Sequence, residues 1–182
     1  MKKNRLYGNN INIEFNKLDK SNCHSLSSFY CGNTTIDEYF RKDAINDSDA
    51  TTYFFLNKDN TEIIAVFTIC CSGVTYTPES EFSYVIPAIE IMYFATNEKY
   101  QKMSYSEKQD DKTLSHQLLL FCIDYIKKVP CSHCAAAILT LYAVPEYVKF
   151  YVDGGFESFM DFMEEKNKPF LQGCLPMFMF LI

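Results

Sequence analysis

The sequence predicts a mixed α/β fold of the α+β kind, with a mostly antiparallel central sheet, flanking helices and one β-α-β crossover. Three observations predict it. Ile86, Ala88 and Ile89 to Ala95 form a near-continuous apolar run of strand length, interrupted by the single carboxylate Glu90, as expected of a strand inside a sheet. A polar, glycine-free stretch follows from Thr96 to Lys112, and a helical pattern begins only at Thr113-Leu114. Upstream, Thr51–Leu56 and Ile63–Ser72 read as the arms of a hairpin turned at Asn57-Lys58-Asp59-Asn60.

The remaining elements follow in order. Ile11-Asn12-Ile13-Glu14-Phe15 alternates like a strand with one wet face. Gly32-Asn33 marks a turn, and Thr34 or Thr35 is expected to cap a helix on which Ile36, Tyr39, Phe40 and Ala44 share a face. The segment from Tyr76 to Ser83 reads as a loop ending at Pro87, where the central strand is expected to start. After the long loop, Leu114, Leu118, Phe121, Cys122 and Tyr125 line one helix face, with Leu119, Leu120, Ile123 and Ile126 beside it. The polar stripe of Gln117, Asp124 and Lys128 is narrow, so this helix should be covered on most sides and end at Pro130. Ala135–Tyr142 reads as a buried strand, Pro145–Tyr151 as a short helix stopped by Gly154-Gly155, and 156–162 and 173–182 as late strands.

With 182 residues, 48% of them hydrophobic, the chain can bury one sizeable core, so a single domain over 1–182 is expected. The balance of 17 Lys and Arg against 23 Asp and Glu, a net charge of −6, argues against a broad surface for nucleic acid or anionic lipid. Met1 to Asn10 lacks the apolar core of a signal peptide, and Leu175–Ile182 is too short to span a bilayer. A soluble, cytoplasmic protein without membrane association is expected.

Eight cysteines without a secretory signal read mostly as thiols acting as small hydrophobes. Cys131-Ser132-His133-Cys134 has part of a zinc-ligand spacing but no second pair, so no metal site is expected. His24, His116 and His133 show no triad spacing, and His116 is expected on a solvated surface. Glu90 stands out, because a carboxylate in so apolar a strand must face a cleft or find a partner. It reads equally as a base for an incoming ammonium and as a paired structural carboxylate. The strand, loop and helix after Ile86 also form a nucleotide-type crossover, whose helix N-terminus could face a phosphate.

Three pieces in order carry a family resemblance: Phe29-Tyr30-Cys31-Gly32 followed by Ile36-Asp37-Glu38-Tyr39-Phe40; Ile86-Pro87 leading the central strand to Tyr100-Gln101; and Phe150-Tyr151-Val152-Asp153-Gly154-Gly155-Phe156. Together they resemble the GNAT (Gcn5-related N-acetyltransferase) family, in particular its toxin-type branch, from about Leu18 to the C-terminus. The resemblance implies acetyl-CoA as cosubstrate and a V-shaped split between the central strand and the strand at Ala135–Tyr142. The pantetheine would pair with the backbone at Tyr93, Phe94 and Ala95. It also implies Tyr151 as the acid that protonates the departing thiolate. In the family a Gln/Arg-x-x-Gly-x-Gly/Ala loop grips the pyrophosphate, because glycines let backbone N–H groups close on it.

Here Lys99-Tyr100-Gln101-Lys102-Met103-Ser104 occupies that place without a glycine, so the loop is degenerate. Two accounts stay open. Residues 104–111 are an inserted excursion and the cradle is Lys112-Thr113-Leu114-Ser115, with Gln101 and Lys102 assisting; or the cradle is lost, and the chain keeps the fold as a catalytically inactive binding module. On the first account the acceptor is a primary amine on a small molecule or protein. A charged tRNA is the one nucleic acid admitted, and a homodimer is allowed.

Overall fold

The computed structural model describes residues 6–8, 11–76, 82–105, 113–132, 135–159 and 171–181. Among the described residues eight strands form one sheet: β1 (Leu6–Gly8), β2 (Ile11–Lys17), β3 (Ala50–Asn57), β4 (Glu62–Tyr76), β5 (Tyr84–Thr96), β6 (Ile138–Ala143), β7 (Glu157–Ser158) and β8 (Leu175–Phe180). Their hydrogen-bonded order is β1-β2-β3-β4-β5-β6-β8-β7. The β1–β2, β2–β3, β6–β8 and β7–β8 pairs are antiparallel, and β5–β6 is parallel. The parallel pair requires a crossover, and helix α2 (Leu114–Ser132) supplies it. The mixed, mostly antiparallel sheet with one β-α-β unit is therefore the architecture expected from the sequence.

By their contacts the residues divide into two compact units, 1–69 with 93–121 and 70–92 with 122–182. In the first unit β3 is buried on both faces, which follows from its lack of polar alternation. One face sends Tyr53 and Phe55 to an aromatic cluster in which Phe15 lies 5.5 Å from Tyr53, 5.9 Å from Phe67 and 5.1 Å from Phe121, centroid to centroid. The other sends Phe54 to a core of Leu18, Leu26, Phe29, Phe40, Ala44, Ile63, Val66 and Ala95. In the second unit Val74, Ala88, Ile138 and Phe159 form the smaller core, with Phe178 packed on it.

Several local expectations are corrected. Helix α1 (Thr34–Glu38) is capped by Asn33, whose side chain accepts the Ile36 N–H, so neither threonine serves as the cap. A π-helical turn over Tyr39–Asp43 then continues it, with the Ala44 N–H donating to the Tyr39 carbonyl at 2.9 Å. Pro87 lies inside β5 instead of starting it. The strand tolerates it because Pro87 precedes the first β6 pair, at Ala88, and its own carbonyl is used by the Ala137 N–H. Pro130 does not end α2, which runs on to Ser132; a missing N–H in the last turn removes a single helical bond. The late strands are shorter than expected, β7 holding only Glu157 and Ser158. The turn expected between β3 and β4 is present, over residues 58–61, and carries Thr61 at φ +59°, a left-handed conformation rare outside glycine.

Near the turn, Glu62 accepts hydrogen bonds from Lys99, Tyr100 (3.0 Å) and Asn60 (3.0 Å), and Asn57 Nδ2 donates to Tyr100 Oη at 3.3 Å. The Lys99 bond first and the Tyr100 bond second hold the Glu62 carboxyl below its usual 4.5. A depressed folded-state value means stability that is complete above the ordinary carboxylate range and lost as pH falls through the lowered one. Comparing Glu62→Gln with the parent by thermal unfolding should therefore show a stability gap at pH 7 that narrows below pH 4.5. A gap independent of pH would show that charge plays no part.

Candidate functional site

The first unit holds the end of the central strand and the loop after it. The register of β5 with β6 runs from Ala88–Ile138 to Ile91–Leu141 and stops there, while β5 itself continues to Thr96. Tyr93 and Phe94 are half-buried and Ala95 is buried. The chain then turns through a 3₁₀ segment, Glu98–Tyr100, whose entry Asn97 caps by accepting the Lys99 N–H. Tyr100 is buried, which anchors the loop from beneath. Gln101 Nε2 donates to the carbonyls of Cys31 (2.8 Å) and Thr96 (3.0 Å), so it clasps the Tyr30-Cys31-Gly32 segment to the end of β5. Lys102 is exposed.

Ser104 and Thr113 form an isolated antiparallel bridge, and the Leu114 N–H donates to the Met103 carbonyl at 2.8 Å. The chain on either side of residues 105–112 is thus brought together. Thr113 is the N-cap of α2: its Oγ1 accepts the His116 N–H at 3.3 Å and its carbonyl accepts from Gln117 at 3.1 Å. Ser115 Oγ donates to the Gln101 carbonyl at 3.4 Å. Thr113, Leu114 and Ser115 therefore meet the Gln101 loop, whereas Lys112 lies outside the described residues, as do the side chains of the Cys131–Cys134 segment. His116 is buried, which corrects the expectation of a solvated place: it follows Leu114 and Ser115 into the covered face of the helix. Asp37, also buried, accepts the Cys31 N–H at 2.8 Å, and burial, reinforced by the Asp37 charge, pushes the Cys31 thiol up to about 12.

The second unit holds Glu90 and Tyr151. Glu90 is only 5% exposed, stands opposite Thr140 in the β5–β6 register, and accepts a hydrogen bond from Ser72 Oγ at 3.1 Å. Burial, with the Glu90 charge adding to it, raises the phenol of Tyr142, which lies two residues beyond Thr140. Tyr151 sits in helix α3 (Val148–Val152), between the rings of Phe150 at 5.2 Å and Phe156 at 6.0 Å. The helix ends at Gly154-Gly155, where Gly155 takes φ +96° and lets the Phe156 N–H return to the Tyr151 carbonyl. The residue is half-buried, but its phenol is desolvated enough to lie well above the ordinary 10.0, with Cys174 and Tyr147 adding to the shift. Such a phenol stays protonated at neutral pH, the state required of an acid.

Ser72, Tyr142 and Cys174 were not singled out by sequence reasoning. Alternation along β6 places Thr140 and Tyr142 on one face, a signal that could have joined Tyr142 to Glu90 once the strands were known to be parallel. Cys174 had no comparable signal, since it comes near Tyr151 only through the fold. Of the six described free thiols, Cys122 and Cys174 are buried, Cys23, Cys31 and Cys70 half-buried and Cys71 exposed.

No family model matches the sequence, and no curated protein does. Solved structures do match. The chain is similar to a bacterial toxin, with 18% identity, a TM-score of 0.69, and 94% of this chain and 92% of that one covered. It is similar to a Tyr-to-Phe variant of the toxin AtaT bound to the C-terminus of the antitoxin AtaR, at 12% identity, with 93% and 92% covered and a TM-score of 0.62. The GNAT domain of S. lividans PAT is similar at 11% identity, with 98% and 96% covered and a TM-score of 0.61. At such identities the likeness fixes the fold: this chain has the GNAT fold.

Proposed function

We propose that the chain, read as a single acyltransferase-like domain, transfers an acetyl group from acetyl-CoA to a primary amine. The observation that carries this reading is the β5–β6 register, which ends at Ile91–Leu141 while β5 continues through Tyr93, Phe94 and Ala95. Where two parallel strands part, an amide-containing arm can enter and run alongside one of them. Pantetheine has such amides, and the GNAT fold makes acetyl-CoA the first ligand to test.

In this reading Thr113, Leu114 and Ser115, with Lys112, Gln101 and Lys102, meet the pyrophosphate. Gln101 acts by holding the loop, because both of its observed donor contacts are to backbone carbonyls. Glu90 takes a proton from the incoming ammonium, directly or through water, and the neutral amine attacks the thioester carbonyl. As the tetrahedral intermediate collapses, the C–S bond breaks and the Tyr151 phenol gives its proton to the thiolate, while the attacking nitrogen releases its extra proton, which restores the phenol directly or through water, leaving a neutral amide and CoA. No enzyme nucleophile or metal enters. The net charge of −6 favours an amine on a small molecule or protein over a charged tRNA.

One observation favours a second reading, that of a binding module that no longer holds CoA. Leu114 and His116 donate their N–H groups within the chain, to Met103 and Thr113, so helix α2 offers a phosphate fewer donors than a bare N-terminus would. Titration calorimetry of the full chain with acetyl-CoA decides between them. Saturable binding is expected; absence of heat at millimolar ligand would remove the enzyme reading.

A further inference from the structure

Within the first unit, the turn that follows β5 directs its backbone donors inward. The Asn97 N–H donates to the Ile64 carbonyl at 2.8 Å, and that of Glu98 to the Tyr30 carbonyl at 3.0 Å. The Lys99 N–H is bound by Asn97 Oδ1 at 3.2 Å, and those of Tyr100, Gln101 and Met103 by the carbonyls of Asn97, Glu98 and Tyr100 at 2.8, 3.4 and 3.2 Å. Across the bridge from Ser104 to Thr113, the Leu114 and His116 N–H groups go to the Met103 carbonyl and Thr113 Oγ1. Gln101 lies in the stretch that takes the place of the family's phosphate loop, yet its Nε2 donates to the carbonyls of Cys31 and Thr96.

A phosphate arriving at this turn competes with bonds already made. Exchanging an internal N–H···O bond for one to phosphate strands a carbonyl, so the exchange contributes little net attraction. Glycines would let the backbone turn such N–H groups outward, and this stretch has none. Charge adds no compensation. The cleft of about 230 Å3 against the turn is edged by Glu62 and Glu98, and the lysine that lines it, Lys99, is paired with Glu62. The nucleotide half of acetyl-CoA carries a pyrophosphate and a 3′-phosphate, which would meet these carboxylates as like charges.

The thioester half makes a different demand. Its amides need strand backbone, and β5 continues through Tyr93, Phe94 and Ala95 beyond the last pair with β6. We infer that the acyl donor is held by its pantetheine arm and not by its nucleotide, so that the acetyl thioester of 4′-phosphopantetheine serves as well as acetyl-CoA. The inference rests on the acetyl-transfer reading and widens its donor to pantetheine thioesters as a class. The bonds are unaltered: C–S breaks, C–N forms, and the leaving thiolate takes its proton as before, with phosphopantetheine in place of CoA as product. On this inference the glycine-free loop reflects which donor is used, with transfer retained.

Titration calorimetry of the full chain tests it with acetyl-CoA, S-acetyl-4′-phosphopantetheine and adenosine 3′,5′-bisphosphate, the last being the nucleotide half alone. The expected result is that the thioesters bind within about threefold of each other, while the bisphosphate gives no saturable heat at millimolar concentration. A phosphopantetheine thioester that binds more than about threefold weaker than acetyl-CoA, or saturable binding of the bisphosphate, overturns the inference and leaves the acetyl-transfer reading in place. Absence of binding by both thioesters overturns the two together. Amide hydrogen exchange checks the premise: the amides of Asn97 to Gln101 and of Met103 should be protected before any donor is added. Exchange there as fast as in an open loop would also overturn the inference.

Discussion

Replacing Tyr151 by phenylalanine should lower turnover by about 100-fold or more, the usual range for removal of a positioned general acid, while acetyl-CoA affinity stays within a factor of two. The substitution removes one oxygen and keeps the ring between Phe150 and Phe156, so the packing of α3 is preserved. In the proposed mechanism, what disappears is the proton for the thiolate. Burial holds that proton above the ordinary tyrosine value of 10.0, so on the proposed mechanism the alkaline fall in kcat of the parent protein due to this group should lie above pH 10. Steady-state kinetics across pH, with acetyl-CoA binding measured in parallel, checks both parts. Unchanged turnover would remove Tyr151 from the chemistry; an equal loss of affinity and rate would make it a packing residue.

The second large effect concerns stability. Phe67 on β4 is fully buried and lies 5.0 Å from Tyr53, 5.9 Å from Phe15 and 6.2 Å from Phe55, stacked or tilted against each. Phe67→Ala should destabilise the protein by about 3–5 kcal/mol, since the rings around it are fixed on β2 and β3 and cannot collapse together into the space. Against a total of about 5–15 kcal/mol for an ordinary domain, that is a large share. Denaturant unfolding should show a lower midpoint with the slope unchanged, and Phe67→Leu should fall between the two. A loss below about 1 kcal/mol would mean that the cluster repacks, contrary to the near-solid packing expected of such interiors.

Elements with their own periodicity were legible in the sequence. The alternation of Ile11–Phe15, the apolar arm from Ile63 and the run into Ala95 each fell on a strand, and the Leu114–Ile126 pattern fell on α2. What escaped depends on partners distant in the chain. Tyr39 meets Asp47 across a helix end, and the π turn that makes this happen has no residue signature. Pro130 looked like a stop because the rule concerns helix interiors, and the last turn has little left to lose. The asparagine at position 33 outcompeted two adjacent threonines as cap because the chain enters the helix one residue earlier. Of the candidate site, Glu90 was legible as a buried carboxylate with a partner, because its oddity lies in its own strand. Its neighbours Ser72 and Tyr142 required the parallel register.

The bridge between Ser104 and Thr113 carries one last implication. Because the two flanks already touch, the number of residues strung between them is decoupled from where helix α2 begins. Evolution could lengthen, shorten or recolour that span with different charges without disturbing the helix behind it. The span is therefore a natural point at which related chains would diverge in length and charge.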